Sequence, residues 1–446
     1  MTPAVAQDVD EVLETTLDSN SDSNVESTAK TMAATTLQDP ASSTPVVSSP
    51  EPLTQDMVFR NMRLRRILRE NHGKSLNQIV FFMNVKHRQH APVGLEFQKT
   101  FDKQGAVERD EDDTSNLLAT VGDCQASVYD NEHCGDHLDI MCNYRLGSES
   151  EGNETTTSIE NSGGASLEFT TCCWIHREED AWLAVAGSDA HIHILSLAYS
   201  KELGRLGGHT EAITDLQAHP LNDYHILSAS KDGTVRLWDL RIHRCVCVFQ
   251  VHTNVTSFHP SGRTFYTGTS RGKLEEWTIP CELLDSAASL DPDSSELPFQ
   301  VAQGKSILTY HHGLSDVIVC IRQAQGNLVF SNASGMLVLC DYQGNILQQM
   351  RVKNNGTNRC RFDISLDEQY LCVGNGQGVV YVFQLTLGKI IAELKHKRST
   401  KAIKTCVFTR DCRSILYGSD DAFLWRFDYI DDDTLREWAT RHSVTD

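Results

Sequence analysis

Within GHTEAITDLQAHPLNDYHILSASKDGTVRLWDL, Gly208-His209 opens and Trp238-Asp239 closes a stretch that has few ways to fold. A histidine, a turn aspartate, small hydroxyl residues and a terminal tryptophan, spread over about 30 residues of a unit of about 40–45, are the pieces of one blade of four short antiparallel strands. Each polar residue then has a packing role. Asp232 in the turn orients His209, and His209 reaches a strand hydroxyl, that of Ser228 or Ser230, and the indole N–H of Trp238. Buried polar groups need partners, and such a chain of hydrogen bonds provides them. His209, Ser228, Ser230, Asp232 and Trp238 are therefore read as a structural network that locates a blade.

A chain of 446 residues would ordinarily divide into more than one domain unless a repeat architecture uses the length. Here one phrase recurs: an apolar strand ending in small residues, a turn, then a second strand ending near an aromatic. Seven copies are present: LLATVGDCQASVYD, WLAVAGSDAHIHIL, HILSASKDGTVRLWDL, TFYTGTSRGKLEEWTI, NLVFSNASGMLVLCD, YLCVGNGQGVVYVFQL and SILYGSDDAFLWRFD. Each reads as the central hairpin of a blade, with Gly, Ser, Asn or Asp at the turn. Before most of them lies another strand with a central aromatic, as in FTTCCWIH, ITDLQAHP, VTSFHPSG, TNRCRFDIS and IKTCVFTRD, which supplies the innermost strand. The fold class is all-β, a seven-bladed WD-repeat β-propeller, within the range of about four to eight blades that closes a ring without exposed sheet edges. Residues 86–115, 147–166 and 283–305 are polar or acidic inserts expected as surface loops.

Residues 1–55 contain one lysine, no arginine and no aromatic residue among many Ser, Thr, Asp, Glu and Ala, and are expected as a disordered acidic tail. The propeller is expected over 56–430, with a short C-terminal tail at 431–446. FRNMRLRRILRENHG, residues 59–73, carries five arginines among Met, Leu and Ile and suits a strand about as well as a helix. As a basic strand over 60–70, it would pair with the last blade and clasp the ring; a nuclear-localisation or nucleic-acid patch is the other reading. The formal charge of -20 argues against free DNA as a direct partner while leaving basic histone tails open. The fourteen cysteines fall in apolar runs without metal spacing and read as reduced core residues. No secretory leader is read at the N-terminus, and no apolar run approaches the 18 or so residues that span a bilayer, so a soluble, intracellular protein is expected.

The ordered motifs go further than a generic repeat. Gly208-His209 with Ala212-Ile213, Leu216 and His219-Pro220, then Ser228, Ser230 and Asp232, then Arg236-Leu237-Trp238, resemble the extra sex combs/embryonic ectoderm development (EED) family of WD-repeat Polycomb subunits, as a divergent member. Glu70-Asn71-His72-Gly73 ahead of the first blade, Phe169, Thr171, Cys172 and Trp174 in FTTCCWIH, and Asp420-Asp421-Ala422 with Trp425-Arg426 in the last blade agree. So does the first hairpin, and the resemblance runs in order over residues 58–429. It implies a non-catalytic scaffold in a Polycomb-type histone methyltransferase complex, with no cofactor of its own. Such a subunit binds and supports an Enhancer-of-zeste-like SET-domain subunit, alongside other Polycomb subunits, in depositing repressive histone lysine methylation in the nucleus.

The family also holds trimethyl-lysine of a histone tail in an aromatic cage, because a trimethylammonium donates no hydrogen bond and is held by ring faces. By the resemblance, this chain places Ile79 or Val80, Thr170, Asn358 and Arg359 at the cage positions, so the cage is expected to be degenerate and its reading lost or altered. Phe81, Phe82, Phe169 and Arg361 lie nearby, the two phenylalanines of QIVFFMN being either a substitute cage or core. Two other classes are weighed. Trp238-Asp239-Leu240-Arg241 matches the WDxR signature of propeller substrate receptors of cullin-type ubiquitin ligases, which a helix at 56–70 would support and a strand there would oppose. An enzyme would need more than the histidine pairs His191/His193 and His311/His312, since no nucleophile or metal motif accompanies them.

Overall fold

The computed structural model describes residues 6–8, 53–71, 73–82, 100–101, 107–108, 116–133, 137–145, 167–177, 180–285, 298–308, 316–431 and 436. All seven hairpins form. In the third, His225–Ser230 pairs with Thr234–Asp239 so that Ile226 faces Trp238 and Leu227 faces Leu237. Every residue of His225–Ser230 is buried, because neighbouring blades cover both faces of a central strand and erase the in-out alternation of a one-faced sheet. The turn between them needs Gly233, whose φ is +81° and whose missing Cβ would lie 2.4 Å from the His252 ring.

The sheets follow chain order. Blade 1 runs Gln78–Phe81, Leu117–Gly122, Gln125–His133 and His137–Arg145; blade 2 spans Phe169–Gly207, blade 3 Ile213–Gln250, blade 4 Val255–Leu308, blade 5 Ile318–Arg351 and blade 6 Asp363–Leu394. Blade 7 takes Ile403–Phe408, Ser414–Ser419 and Phe423–Tyr429 from the C-terminal side and its outer strand, Met62–Arg69, from the N-terminal side. Pairings from Met62 with Tyr429 to Arg69 with Phe423 close the ring. The arginine-rich segment is thus a strand, and Glu70 at its end binds it to blade 1. Glu70 N–H donates to the Ala422 carbonyl, while its buried carboxylate accepts from Thr120 Oγ1 at 2.6 Å. Burial pushes that carboxyl above its ordinary range despite this hydrogen bond.

Four features depart from expectation. A six-residue helix, Gln55–Arg60, capped by Thr54, precedes the clasp strand and presses Val58 and Phe59 into blades 6 and 7, with Phe59 4.9 Å from Tyr370 and 5.6 Å from Phe408. Ala6–Asp8, inside the segment expected to be structureless, pairs with Arg66, Ile67 and Leu68. The insert at 283–305 is more than a loop: Phe299–Val301 adds a parallel strand to blade 3. In the insert at 86–115, Thr100–Phe101 pairs with Val107–Glu108. The other residues of 1–52, the insert at 147–166, His72, His311 and His312, and residues 432–435 and 437–446 of the expected C-terminal tail lie outside the described residues.

Packing between blades makes the core. Between blades 3 and 4, Phe249 meets Phe265 edge-on at 4.8 Å, and Leu227, Val235 and Trp277 fill the same layer. The described cysteines are all free, and nine of them are buried. Burial pushes the Cys172 thiol up to about 12, so it stays protonated and behaves as a small apolar side chain.

Candidate functional site at the mouth of the central channel

Blade 3 contains the network read from the sequence, with one choice resolved. Trp238 Nε1 donates to Ser228 Oγ at 2.8 Å, Ser228 Oγ lies 2.7 Å from His209 Nε2, and His209 Nδ1 lies 2.7 Å from Asp232 Oδ2. The tautomer with its proton on Nδ1 satisfies every partner in that order. Ser230 has a separate task, donating to the carbonyls of Glu211 and Ala212 and so pinning the loop that carries His209. Burial holds His209 below its ordinary value against the pull of Asp232, as a neutral relay requires. Blades 4 and 7 keep fragments: Trp277 donates to Thr267 Oγ1 and Trp425 to Ser419 Oγ.

The innermost strands surround a channel with a cavity at each end. One, of about 440 Å³, is lined by Ser75, Asn77, Glu168, Thr170, Thr214, Lys231, Arg359, Arg361 and Lys404, with apolar residues of blades 4 and 5. The other, of about 340 Å³, is lined by Ile79, Val80, Phe81, Phe82, Trp174 and His176 on one side and again by Arg361. Arg361 therefore stands between them. It donates from one terminal nitrogen to Asp215 Oδ1 at 2.7 Å and from the other to the Thr214 carbonyl at 2.8 Å, crossing the channel from blade 6 to blade 3. Asp215 Oδ2 in turn accepts from Thr256 N–H at 2.8 Å in blade 4. Blade 6 keeps little of its innermost strand. TNRCRFDIS yields only Asp363–Ile364, while Arg361 N–H donates to the Lys404 carbonyl of blade 7.

The structure divides the residues read from the sequence between these two ends. Thr170, Arg359 and Arg361 meet at the larger mouth, where Thr170 Oγ1 donates to the Ile213 carbonyl at 2.5 Å. Asn358 sits behind it, donating to the Ile403 carbonyl. Ile79 and Val80 are not there. Ile79 is packed between blades 1 and 7 with Leu76 and Leu118, and Val80 accepts at its carbonyl from Trp174 Nε1. The residue of that strand's entrance that does face the mouth is Asn77, donating to Glu168 Oε1 and to the Phe169 carbonyl, each at 2.7 Å. Phe82 is buried against Trp174 at 5.1 Å and His176 at 5.8 Å, Phe81 packs on the blade 1/7 core, and Phe169 is buried against blade 1. Phe81 and Phe82 thus form no cage at the larger mouth. Asn77, Lys231 and Lys404 were missed because no local sequence signal marks them; each joins the mouth only when the ring closes.

Two other constellations resolve as structural. His193 is buried between Asp189 Oδ2 at 2.7 Å and Glu202 Oε1 at 2.9 Å, whereas its strand mate His191 is exposed beside the Asp189 carbonyl. Burial lowers the affinity of His193 for a proton, but the two carboxylates outweigh it and the imidazole is held above its ordinary value. Among the described residues, no group of three or more His, Cys, Asp or Glu side chains is arranged to hold a metal ion. In the WDxR signature, Arg241 turns back on buried Asp239 of its own blade, with contacts of 2.6–3.2 Å, and lies over Tyr224. The clasp strand occupies most of the segment where an adaptor-binding helix was sought, and the short helix before it has its apolar side buried.

A ring of seven blades, five of four strands and two extended to five, with this hydrogen-bond relay in one of them, is a WD-repeat β-propeller, and residues 200–239 match the WD domain, G-beta repeat family. The match runs from the outer strand of blade 2 through the first three strands of blade 3, whose relay is complete. The chain is 24% identical over 295 residues to the Polycomb protein esc of Drosophila melanogaster, covering 58% of this chain and 68% of that protein. It is 25% identical over 320 residues to the Polycomb group protein FIE2 of Zea mays, covering 64% and 84%, and 23% identical over 351 residues to the esc protein of Musca domestica, covering 71% and 77%. The chain is thus similar, at 23–25% identity, to WD-repeat Polycomb proteins named esc and FIE2.

Proposed function

We propose that this propeller is the non-catalytic scaffold subunit of a Polycomb-type histone methyltransferase complex in the nucleus. It holds and supports an Enhancer-of-zeste-like SET-domain subunit and does not read trimethyl-lysine. The similarity to esc and FIE across most of the ring is the observation that carries this reading. A propeller suits the role: seven rigid blades present broad loop faces, and many moderate contacts spread over such a face survive divergence at any one of them. The composition of the mouth supports the second half. Asn77, Thr170 and Arg359 offer no aromatic face to a quaternary ammonium, and the cations there repel one.

The reading is tested by affinity purification of the tagged full-length chain from nuclear extract, followed by mass spectrometry. A SET-domain methyltransferase at near-stoichiometric yield is the expected result. Recovery of a cullin with its adaptor, and no methyltransferase, would replace this reading with that of a ubiquitin-ligase receptor.

A further inference from the structure

The larger mouth is electrostatically out of character with the chain. On a protein of formal charge -20, Lys231, Arg359, Arg361 and Lys404 converge on one cavity of about 440 Å³, and among the described residues its lining contains a single carboxylate, Glu168. The four cations come from blade 3, the entrance to blade 6 and blade 7, so no run of basic sequence explains their meeting. Their partners differ. Arg361 is committed to Asp215, and Lys404 lies 3.4 Å from Asp420 at the surface, a weak exposed pair. Lys231 and Arg359 are exposed and have no carboxylate against them among the described residues. Glu168 spends one oxygen on the Asn77 amide. The cavity thus presents two uncommitted cations over a fixed guanidinium, with the hydroxyls of Thr170 and Thr214 and a strip of valines from blades 4 and 5 beside them.

We propose that this mouth binds an anionic side chain, phosphorylated or carboxylic, presented by a peptide segment of a partner protein. A guanidinium and an ammonium flanking one concavity match a phosphate or carboxylate, Arg359 by forked hydrogen bonds and Lys231 as a point charge. A peptide is favoured over a nucleic acid because the chain's overall charge repels a polyanion at long range, whereas one anion inside the mouth senses mainly the charges within a Debye length of about 8–10 Å. The valine strip offers apolar contact to residues flanking the anion. This inference rests on the reading that the mouth has no methyl-lysine cage.

The test is fluorescence anisotropy of the full-length chain with four labelled Gly-Ser peptides that differ at one central position: phosphoserine, glutamate, serine and trimethyl-lysine. The phosphoserine or glutamate peptide is expected to bind about tenfold or more tighter than the serine peptide, with affinity falling as salt is raised. Lys231→Ala and Arg359→Ala should each remove most of that preference without moving the thermal transition, since both side chains are exposed. A phosphoserine peptide ahead of glutamate assigns the site to a phosphorylated partner, and parity assigns it to an acidic one. Equal binding of all four peptides, or binding indifferent to both substitutions, would overturn the anion site and leave the loss of the cage intact. Tightest binding of trimethyl-lysine would overturn both readings, and tighter binding of a mixed-sequence oligonucleotide that depends on the same two residues would overturn the peptide assignment.

Discussion

Replacing Trp238 with alanine should cost the propeller about 3–5 kcal/mol of stability. The indole is 1% exposed and packs between blades 2 and 3 with Ile175, Leu216, Ile226 and Leu240. Its removal leaves a cavity that rigid sheets on either side cannot close. It also withdraws the N–H from Ser228 Oγ, leaving a buried hydroxyl with one partner fewer at the head of the relay through His209 to Asp232. Trp238→Phe separates the two losses. It keeps most of the ring and forfeits the hydrogen bond, for about 0.5–1.5 kcal/mol. Urea unfolding followed by tryptophan-independent far-ultraviolet circular dichroism measures both, and a change below about 1 kcal/mol for the alanine variant would mean that this blade is not held in the way described.

The second large effect is expected at the channel. Arg361→Leu should destabilise by about 3–5 kcal/mol, because it leaves the Asp215 carboxylate, 2% exposed, without its cation. The Thr256 hydrogen bonds to Asp215 remain but do not balance the charge. Asp215→Asn in the Arg361→Leu background should recover much of the loss, since an amide keeps an acceptor for Thr256 and carries no charge. The measurement is a double-mutant cycle on unfolding free energies, and additivity of the two substitutions would show that the pair across the channel carries no coupling.

The two predictions fall on opposite sides of what the sequence made legible. Blade 3 could be read because its relay is local: His209, Ser228, Asp232 and Trp238 lie within one repeat, and their chemistry constrains one another. The other hairpins were readable from small residues at turns and apolar strands, even where the relay had decayed to Trp277 with Thr267 or Trp425 with Ser419. The clasp strand is ambiguous in the sequence because four arginines mask its pattern, and its register is fixed by Phe423–Tyr429 from the far end of the chain. The helix Gln55–Arg60 was missed because six residues carry little periodicity.

The channel mouth is less legible in the sequence. Thr170 and Arg359, named by the resemblance, line the larger mouth together with nearby Arg361, whereas Ile79 and Val80 lie away from it and Asn77 stands at the strand's entrance. In QIVFFMN, apolar character draws attention to the middle of the strand, whereas the mouth is lined by whichever residue sits at the strand's entrance. That is set by the hydrogen bond from Asn77 N–H to the Val121 carbonyl. Lys231 and Lys404 reach the same cavity from turns and strands of separate blades, and only ring closure brings such residues together.

The most direct measurement is nucleosome methylation by a purified Enhancer-of-zeste-like SET-domain subunit, with its remaining partners, in the presence and absence of this chain. Methylation that depends on the full-length propeller, and is lost with the destabilised Trp238→Ala variant, is the result expected of a scaffold. Methylation at the same rate with and without the propeller, under conditions where the complex assembles, would contradict it.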